Sequence, residues 1–387
     1  MLTLALTIAA AVTPQCGGSS TTSGAVQNVQ LIAVNAGPAN TYFNGAFTTV
    51  TICPPGQSSC QTIDGMLVDT GSTGVRVLSS VLSLTLPQET DGNGSPIAEC
   101  SQFLDGFTWG PVQTADIRLA GERASGVPIQ VIGAPRFASI PASCASTGVA
   151  ENTLEALGAN GILGISVFKQ DCGPGCTVVG SSNPGLYYTC PASGCVTTAQ
   201  SLTRQLLNPV ALFASDNNGV MIQLPSLAPG GAASSSGMMV FGIGTQSDNA
   251  LGAAKVLTVD ADGNFTTSYG SRSYGSTYVD SGSNGIFFLD SGTTGLAVCT
   301  KSTNFYCPPT LQPESATNRG VNGVTSAVAF SVGDVDALAA QFTAASEAAG
   351  PNPGGFAWGL PFFFGRAVFT AVEGQSTPGG PGPFIAY

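Results

Sequence analysis

The stretch Val68–Gly74, VDTGSTG, has a near copy in the other half of the chain, Val279–Gly285, VDSGSNG. Aligned on their aspartates, the two extend outward together: MLVDTGSTGVRV stands against TYVDSGSNGIFF, apolar before the aspartate and largely apolar again after the last glycine. The pattern describes a strand that delivers Asp69 or Asp280 into a tight turn, where Gly71 or Gly282 permits close backbone approach. The hydroxyl residue after each aspartate, Thr70 or Ser281, can hydrogen-bond a partner loop, and Ser72 and Ser283 can support the carboxylates. A looser third copy, Leu289–Gly295 (LDSGTTG), follows at once and makes Asp290 an alternative second aspartate.

Two such loops brought face to face hold two carboxylates against one water. Neighbouring like charges do not both ionise, so the pair shares a proton. One carboxylate then accepts a proton from water while the other donates to a substrate carbonyl. Each motif alone is also an ordinary β-turn in a chain rich in Gly, Ser and Thr. The repetition, with matching flanks, favours chemistry over turns.

Composition narrows the chemistry further. The 387-residue chain contains no histidine, which removes histidine triads, imidazole zinc sites and any histidine general base. Its net charge of −11 argues against a nucleic-acid partner. No dinucleotide or Walker glycine signature is present, and neither a cofactor nor a metal is expected. With 43% hydrophobic and 9% charged residues, 51 glycines and 25 prolines, the chain reads as globular, mainly β and dense in turns. Val127–Ile132, Val220–Leu224, Met238–Ile243 and Ala327–Val332 are expected strands. Asp334–Gly350, Ala-rich with an Asp cap and a Gly stop, is expected to be a helix, and Ser201–Leu212 a second.

Eleven cysteines leave one over. Met1–Val12 is apolar but too short to span a bilayer, and it runs into Cys16 and a Gly/Ser/Thr tether. That order resembles a bacterial lipoprotein leader with Cys16 lipidated, and an ordinary signal peptide is the alternative. Ten cysteines remain: Cys53, Cys60, Cys100, Cys144, Cys172, Cys176, Cys190, Cys195, Cys299 and Cys307. They suffice for five disulfides, with Cys53/Cys60 and Cys299/Cys307 close enough to staple small loops. The group from Cys172 to Cys195 could also be read as a metal site, although its spacing is not that of a zinc ribbon. Disulfides imply an oxidising compartment.

The two aspartate turns resemble those of pepsin-type aspartic peptidases, and other landmarks follow in order. Asn160–Ile165 (NGILGI) and Trp358–Arg366 (WGLPFFFGR) resemble the apolar–apolar–Gly elements that close each lobe of that family. Phe107–Ala120 (FTWGPVQTADIRLA) lies where the family has its flap hairpin, which would place Trp109–Gly110 at the tip, with tryptophan in place of the family's tyrosine. The cysteine loops Tyr187–Cys195 and Phe305–Pro308 are similar to those of an uncharacterised bacterial family of secreted pepsin-like proteins.

The resemblance implies two β-rich lobes, residues 30–235 and 236–387, after a leader and tether at 1–29. Leu224–Gly237 is the expected flexible stretch near the junction. It implies an exported, monomeric aspartic endopeptidase, periplasmic or at the cell surface, acting on a peptide or protein substrate through Asp69 and Asp280. Trp109 would cap the substrate, and a lipid on Cys16 would give membrane attachment. The alternative is an inert pepsin-fold module that binds peptides or proteins; a β-rich adhesion protein is a third reading. SVFK at Ser166–Lys169 and SDN at Ser215–Asn217 spell two β-lactamase signatures, but the third, Lys–Thr–Gly, is absent. Val259–Asn264 (VDADGN) reads as an Asp-Gly hairpin turn rather than a calcium loop.

Overall fold

The computed structural model describes residues 28–387, so the leader, including Cys16, lies outside the described residues. The chain is mainly β. One large sheet runs through both halves of the sequence, and a seven-stranded sheet belongs to the second half alone. The halves join where Val29–Asn35 pairs antiparallel with Ser235–Phe241, which pairs with Gly219–Leu224, which pairs in turn with Arg366–Ala371. Gly219–Leu224 is buried at every position but Gln223, because both faces of this shared sheet are covered. In contrast Gln312–Arg319 alternates exposed residues with half-buried or buried ones, as an antiparallel strand with one wet face should.

Val127–Ile132, Val220–Leu224 and Ala327–Val332 lie wholly within strands, and the Met238 run leaves its strand after Phe241. Leu224–Gly237 is not a free linker. Its ends belong to paired strands, Ala232 bridges to Ala344, and Gly230 N–H donates to Glu347 Oε1 at 2.9 Å.

In each half, a strand entering an aspartate turn is flanked by a crossing strand. Gly161–Ile165 runs parallel to Gln61–Asp69 and antiparallel to Thr73–Leu78. Asn352–Trp358 stands in the same relation to Arg272–Val279 and Ile286–Leu289. Trp358–Gly359 therefore supplies the apolar–Gly element; the rest of Trp358–Arg366 is a buried 3-10 turn, Leu360–Phe363, leading into the shared sheet. The second half centres on aromatic packing: Phe288 contacts Tyr269, Tyr306, Phe330 and Phe356, and Phe356 stacks on Trp358.

The expected helix over Asp334–Gly350 is shortened to one turn, Val335–Ala339, capped by Asp334. Beyond it the backbone is claimed by other chains of hydrogen bonds. Asn44 binds Ala345 through both its amide atoms, Ala344 pairs with Ala232, and Ala349–Gly350 adds to Ile286–Phe287. The alanines at 344, 345, 348 and 349 are completely buried, so they serve close packing and their helix propensity is overridden. Ser201–Leu212 likewise forms two separate 3-10 turns, Leu202–Arg204 and Pro209–Leu212, since Pro209 cannot donate within a continuing helix.

All ten cysteines outside the leader are paired: 53–60, 100–144, 172–176, 190–195 and 299–307. The metal reading of Cys172–Cys195 is thereby overturned, because a disulfide sulfur offers no thiolate. Asp290 caps the turn Ser291–Thr294, and Asp260 accepts the N–H groups of Asp262 and Asn264 in a tight turn. Among the described residues no helix is long and apolar enough to cross a membrane.

Phe288→Ala should destabilise the second half by about 3–5 kcal/mol, whereas Leu104→Ala, at an exposed position, should change stability by less than about 0.5 kcal/mol. Urea unfolding followed through Trp358 fluorescence in a Trp109→Phe background measures both.

Candidate active site

The two aspartate turns meet at the junction of the halves and exchange hydroxyl groups. Ser281 N–H donates to Thr70 Oγ1 at 2.9 Å, and Thr70 N–H donates to Ser281 Oγ at 3.1 Å. Each hydroxyl then donates onward to the opposite strand: Ser281 to the Val68 carbonyl at 2.7 Å, Thr70 to the Val279 carbonyl at 3.4 Å. Thr70 and Ser281 are buried, so no water can replace these bonds.

The carboxylates are held in parallel fashion. Asp69 Oδ1 accepts Gly71 N–H at 2.8 Å and its Oδ2 accepts the Ser72 hydroxyl. Asp280 Oδ1 accepts Gly282 N–H at 2.9 Å and its Oδ2 accepts the Ser283 hydroxyl at 2.6 Å. The glycines explain how closely the turns approach. A Cβ on Gly71 would lie 2.6 Å from Asp280 Cγ, and one on Gly282 would lie 2.7 Å from Asp69 Oδ1. Each turn thus leaves a space the width of one methyl group, and the other turn's carboxylate fills it.

Two carboxyl groups so placed do not both ionise freely. Burial first, then the charge of Asp69 and a hydrogen bond with it, push Asp280 up from 3.8 to about 8. The pair therefore holds a proton where isolated aspartates would hold none, and it titrates as a unit.

Asp69 and Asp280 lie on the floor of a cleft of about 720 Å³. Its walls combine aromatic rings, among them Tyr42, Phe103, Phe287 and Phe305, with three more carboxylates, Asp105, Glu151 and Glu155. No lysine or arginine lines it among the described residues. Burial, then Asp105, raises Glu151 to about 7. The Tyr42 hydroxyl is pushed upward by burial and then by Asp105, Asp69 and Asp280, so it stays a donor. No motif marks Tyr42 in the sequence. Phe305 comes from the loop stapled by Cys299–Cys307, which borders the cleft.

Trp109–Gly110 is not at a hairpin tip. Trp109 sits within the strand Gly106–Leu119 opposite Cys100, is 1% exposed, and donates its indole N–H to the Phe137 carbonyl at 2.8 Å. Its ring packs edge-on against Tyr188. Gly110 is required because a Cβ there would lie 2.0 Å from the Val131 carbonyl oxygen. The hairpin that reaches the cleft turns earlier, at Phe103–Gly106, with Leu104 and Asp105 at its tip. The Asp105-Gly106 pair was a readable turn signal, overshadowed by the aromatic–Gly pair that follows it. Asp290 is exposed and occupied as a helix cap, so it does not join the other two aspartates.

A family model described as "Protein of unknown function (DUF3443)" matches residues 24–387. No curated protein matches the sequence. Among solved structures, the fold is similar to that of an aspartic proteinase from Irpex lacteus, with a TM-score of 0.53 and 15% sequence identity over 92% of this chain and 96% of that one. The likeness shows a pepsin-like fold.

Thr70→Val keeps the shape but leaves Ser281 N–H buried without an acceptor, and should cost about 1–3 kcal/mol in chemical denaturation. The proton on Asp280 has its own signature. The folded state keeps a proton that the unfolded chain releases above about pH 4, so stability present in acid is lost as pH rises toward about 8. Asp280→Asn should remove that component, so its thermal midpoint gains on wild type across this window; parallel profiles would show that the shift is absent.

Proposed function

The chain belongs to the family described as a protein of unknown function (DUF3443), and we propose that in this member the facing aspartates hydrolyse peptide bonds, as an aspartic-type endopeptidase. The observation that carries this reading is the reciprocal approach of each glycine to the other turn's carboxylate, on the floor of an open cleft. That arrangement is suited to holding one water between one charged and one protonated carboxyl group.

In the proposed mechanism Asp280 carries the shared proton, in keeping with its upward shift, and Asp69 is the base. The water oxygen bonds to the substrate carbonyl carbon, its proton passes to Asp69, and Asp280 gives its proton to the carbonyl oxygen. The tetrahedral diol then collapses: the carbon–nitrogen bond breaks, the nitrogen takes the proton from Asp69, and one diol hydroxyl returns its proton to Asp280. Ser72, Ser283 and the two glycine N–H groups keep the carboxylates oriented throughout. Preorganised donors of this kind avoid reorganisation at the moment of reaction.

The rim supports a peptide as substrate. Phe103, Leu104 and Asp105 of the flap tip line the cleft together with Phe287 and Phe305, so an extended chain would meet apolar and acidic surfaces there. The five disulfides fit an exported protein. We place it in the periplasm or on the cell surface, with Cys16 as its anchor point.

Peptide cleavage from about pH 3 to 7, with and without pepstatin, tests the reading on the range where a proton-sharing pair works. Asp69→Asn and Asp280→Asn should each lose about 10²–10⁴-fold or more in kcat/KM, with Asp290→Asn unaffected. Folded wild type that cleaves nothing, yet binds peptides in the same cleft, would replace this function with that of a binding module.

A further inference from the structure

A second pair of carboxyl groups lies in the first half of the chain, outside the lining of the cleft. Glu99, on strand Ile97–Gln102, and Asp171, just ahead of the Cys172–Cys176 loop, both turn to the guanidinium of Arg76. One nitrogen serves both: Arg76 Nη2 is 2.7 Å from Glu99 Oε1 and 3.6 Å from Asp171 Oδ2. The three side chains are 2%, 0% and 3% exposed, taking Arg76, Glu99 and Asp171 in turn. Tyr187 donates its hydroxyl to Asp171 Oδ1 at 2.7 Å and accepts Leu206 N–H at 2.7 Å. From Glu122–Ile132 comes only the neutral amide of Gln130, which donates to the Glu99 carbonyl at 2.9 Å and accepts from Thr108 of the strand Gly106–Leu119. The charged and titratable groups facing Asp171 are thus Glu99, Arg76 and Tyr187.

The charges do not cancel. Two ionised carboxylates against one guanidinium leave a net negative charge where water cannot reach it, an arrangement that costs several kcal/mol per unpaired ion. Two oxygens also lack a donor within hydrogen-bond distance, Glu99 Oε2 and Asp171 Oδ2, and Arg76 Nε lacks an acceptor. One proton, carried by either carboxyl group, solves both problems, because it neutralises the cluster and supplies the missing hydrogen bond between the acids. Consistent with this, burial first and then Glu99 hold Asp171 well above the usual carboxylate range.

The cluster is placed between the parts that form the cleft. Arg76 Nη1 donates at 2.9 Å to the carbonyl of Thr73, in the Asp69 turn. Glu99 belongs to the strand that leads into the flap tip. The guanidinium carbon lies 5.8 Å from the ring centre of Phe103, which itself lines the cleft. We propose that Arg76, Glu99 and Asp171 form a one-proton lock that ties the flap to the Asp69 turn, and that losing this proton as pH rises frees the flap. These are positioning residues: none lines the cleft, and the lock holds whether or not the aspartate pair turns over substrate.

The sign follows from linkage. The folded lobe keeps a proton that unfolded Asp171 releases above about pH 4, so stability present in acid is lost as pH rises toward the raised value. The test compares Asp280→Asn, in which the cleft pair is silenced, with the double variant Asp280→Asn/Asp171→Asn. One linked proton makes the unfolding constant grow by about tenfold per pH unit within the window, and the double variant should lack that component. Asparagine can donate to Glu99 as the protonated acid does, so the fold should persist; if it does not, Asp280→Asn/Glu99→Gln carries the same test. Hydrogen exchange at residues 103–106 is the second readout. After correction for intrinsic exchange, flap opening should increase as pH rises in the single variant and stay low in the double one. Equal pH slopes in the two proteins overturn the lock. So does a flattened slope with unchanged flap exchange, which would leave the cluster a structural feature with no hold on the flap.

Discussion

The exchange of hydroxyl groups between Thr70 and Ser281 is the constraint on which the rest of the molecule rests. Four buried hydrogen bonds link two turns that lie far apart in the sequence, and each hydroxyl both accepts from one turn and donates to the strand behind it. A single such bond contributes only about 0.5–1.5 kcal/mol, but an unmade one in a buried place costs the full desolvation of its donor. The four therefore act less as an attraction than as a condition: the two halves dock in one register or leave polar groups stranded.

That register fixes where charge collects. With the turns pinned, Gly71 and Gly282 let each carboxylate into the space beside the other, and the result is a carboxyl pair that keeps a proton beyond the ordinary range. The same physics recurs behind the flap, where Glu99 and Asp171 share too little positive charge with Arg76. A chain without histidine thus reaches the pH region usually served by imidazole by crowding carboxylates out of water. Both pairs favour acid, and both contribute stability that fades as pH rises.

Much of the fold was legible because it depends on local patterns. The repeated Asp–hydroxyl–Gly–Ser turn, the short apolar runs and the even set of cysteines each report a backbone or redox requirement that neighbouring residues alone impose. The misreadings share a different origin. Residues 340–350 look helical since alanine favours helices, yet Asn44, Ala232 and Ile286 draw them into extended pairing from elsewhere in the chain. Trp109 resembles a flap tip by distance from Asp69, but it is 1% exposed and its N–H is satisfied by the Phe137 carbonyl, so it belongs to a core. Tyr42 and the Arg76 cluster carry no spacing signal, because their partners come from four or more separate strands and loops.

By itself, then, the sequence determined the two aspartate turns, the mainly β architecture and the kind of chemistry left open to a chain with no imidazole. These rest on residue type and short spacing, which survive without knowledge of contacts. The tertiary structure decided which aspartate faces Asp69, which residues line the cleft, how the cysteines pair and which carboxyl groups gather around Arg76. Asp280 and Asp290 occur in similar heptads, but only Asp280 follows a strand whose neighbouring serine reaches the opposite turn, while Asp290 spends its carboxylate on the N–H of Thr293. Proton sharing requires two carboxyl groups out of water within reach of each other, and that distance is a property of the folded chain alone.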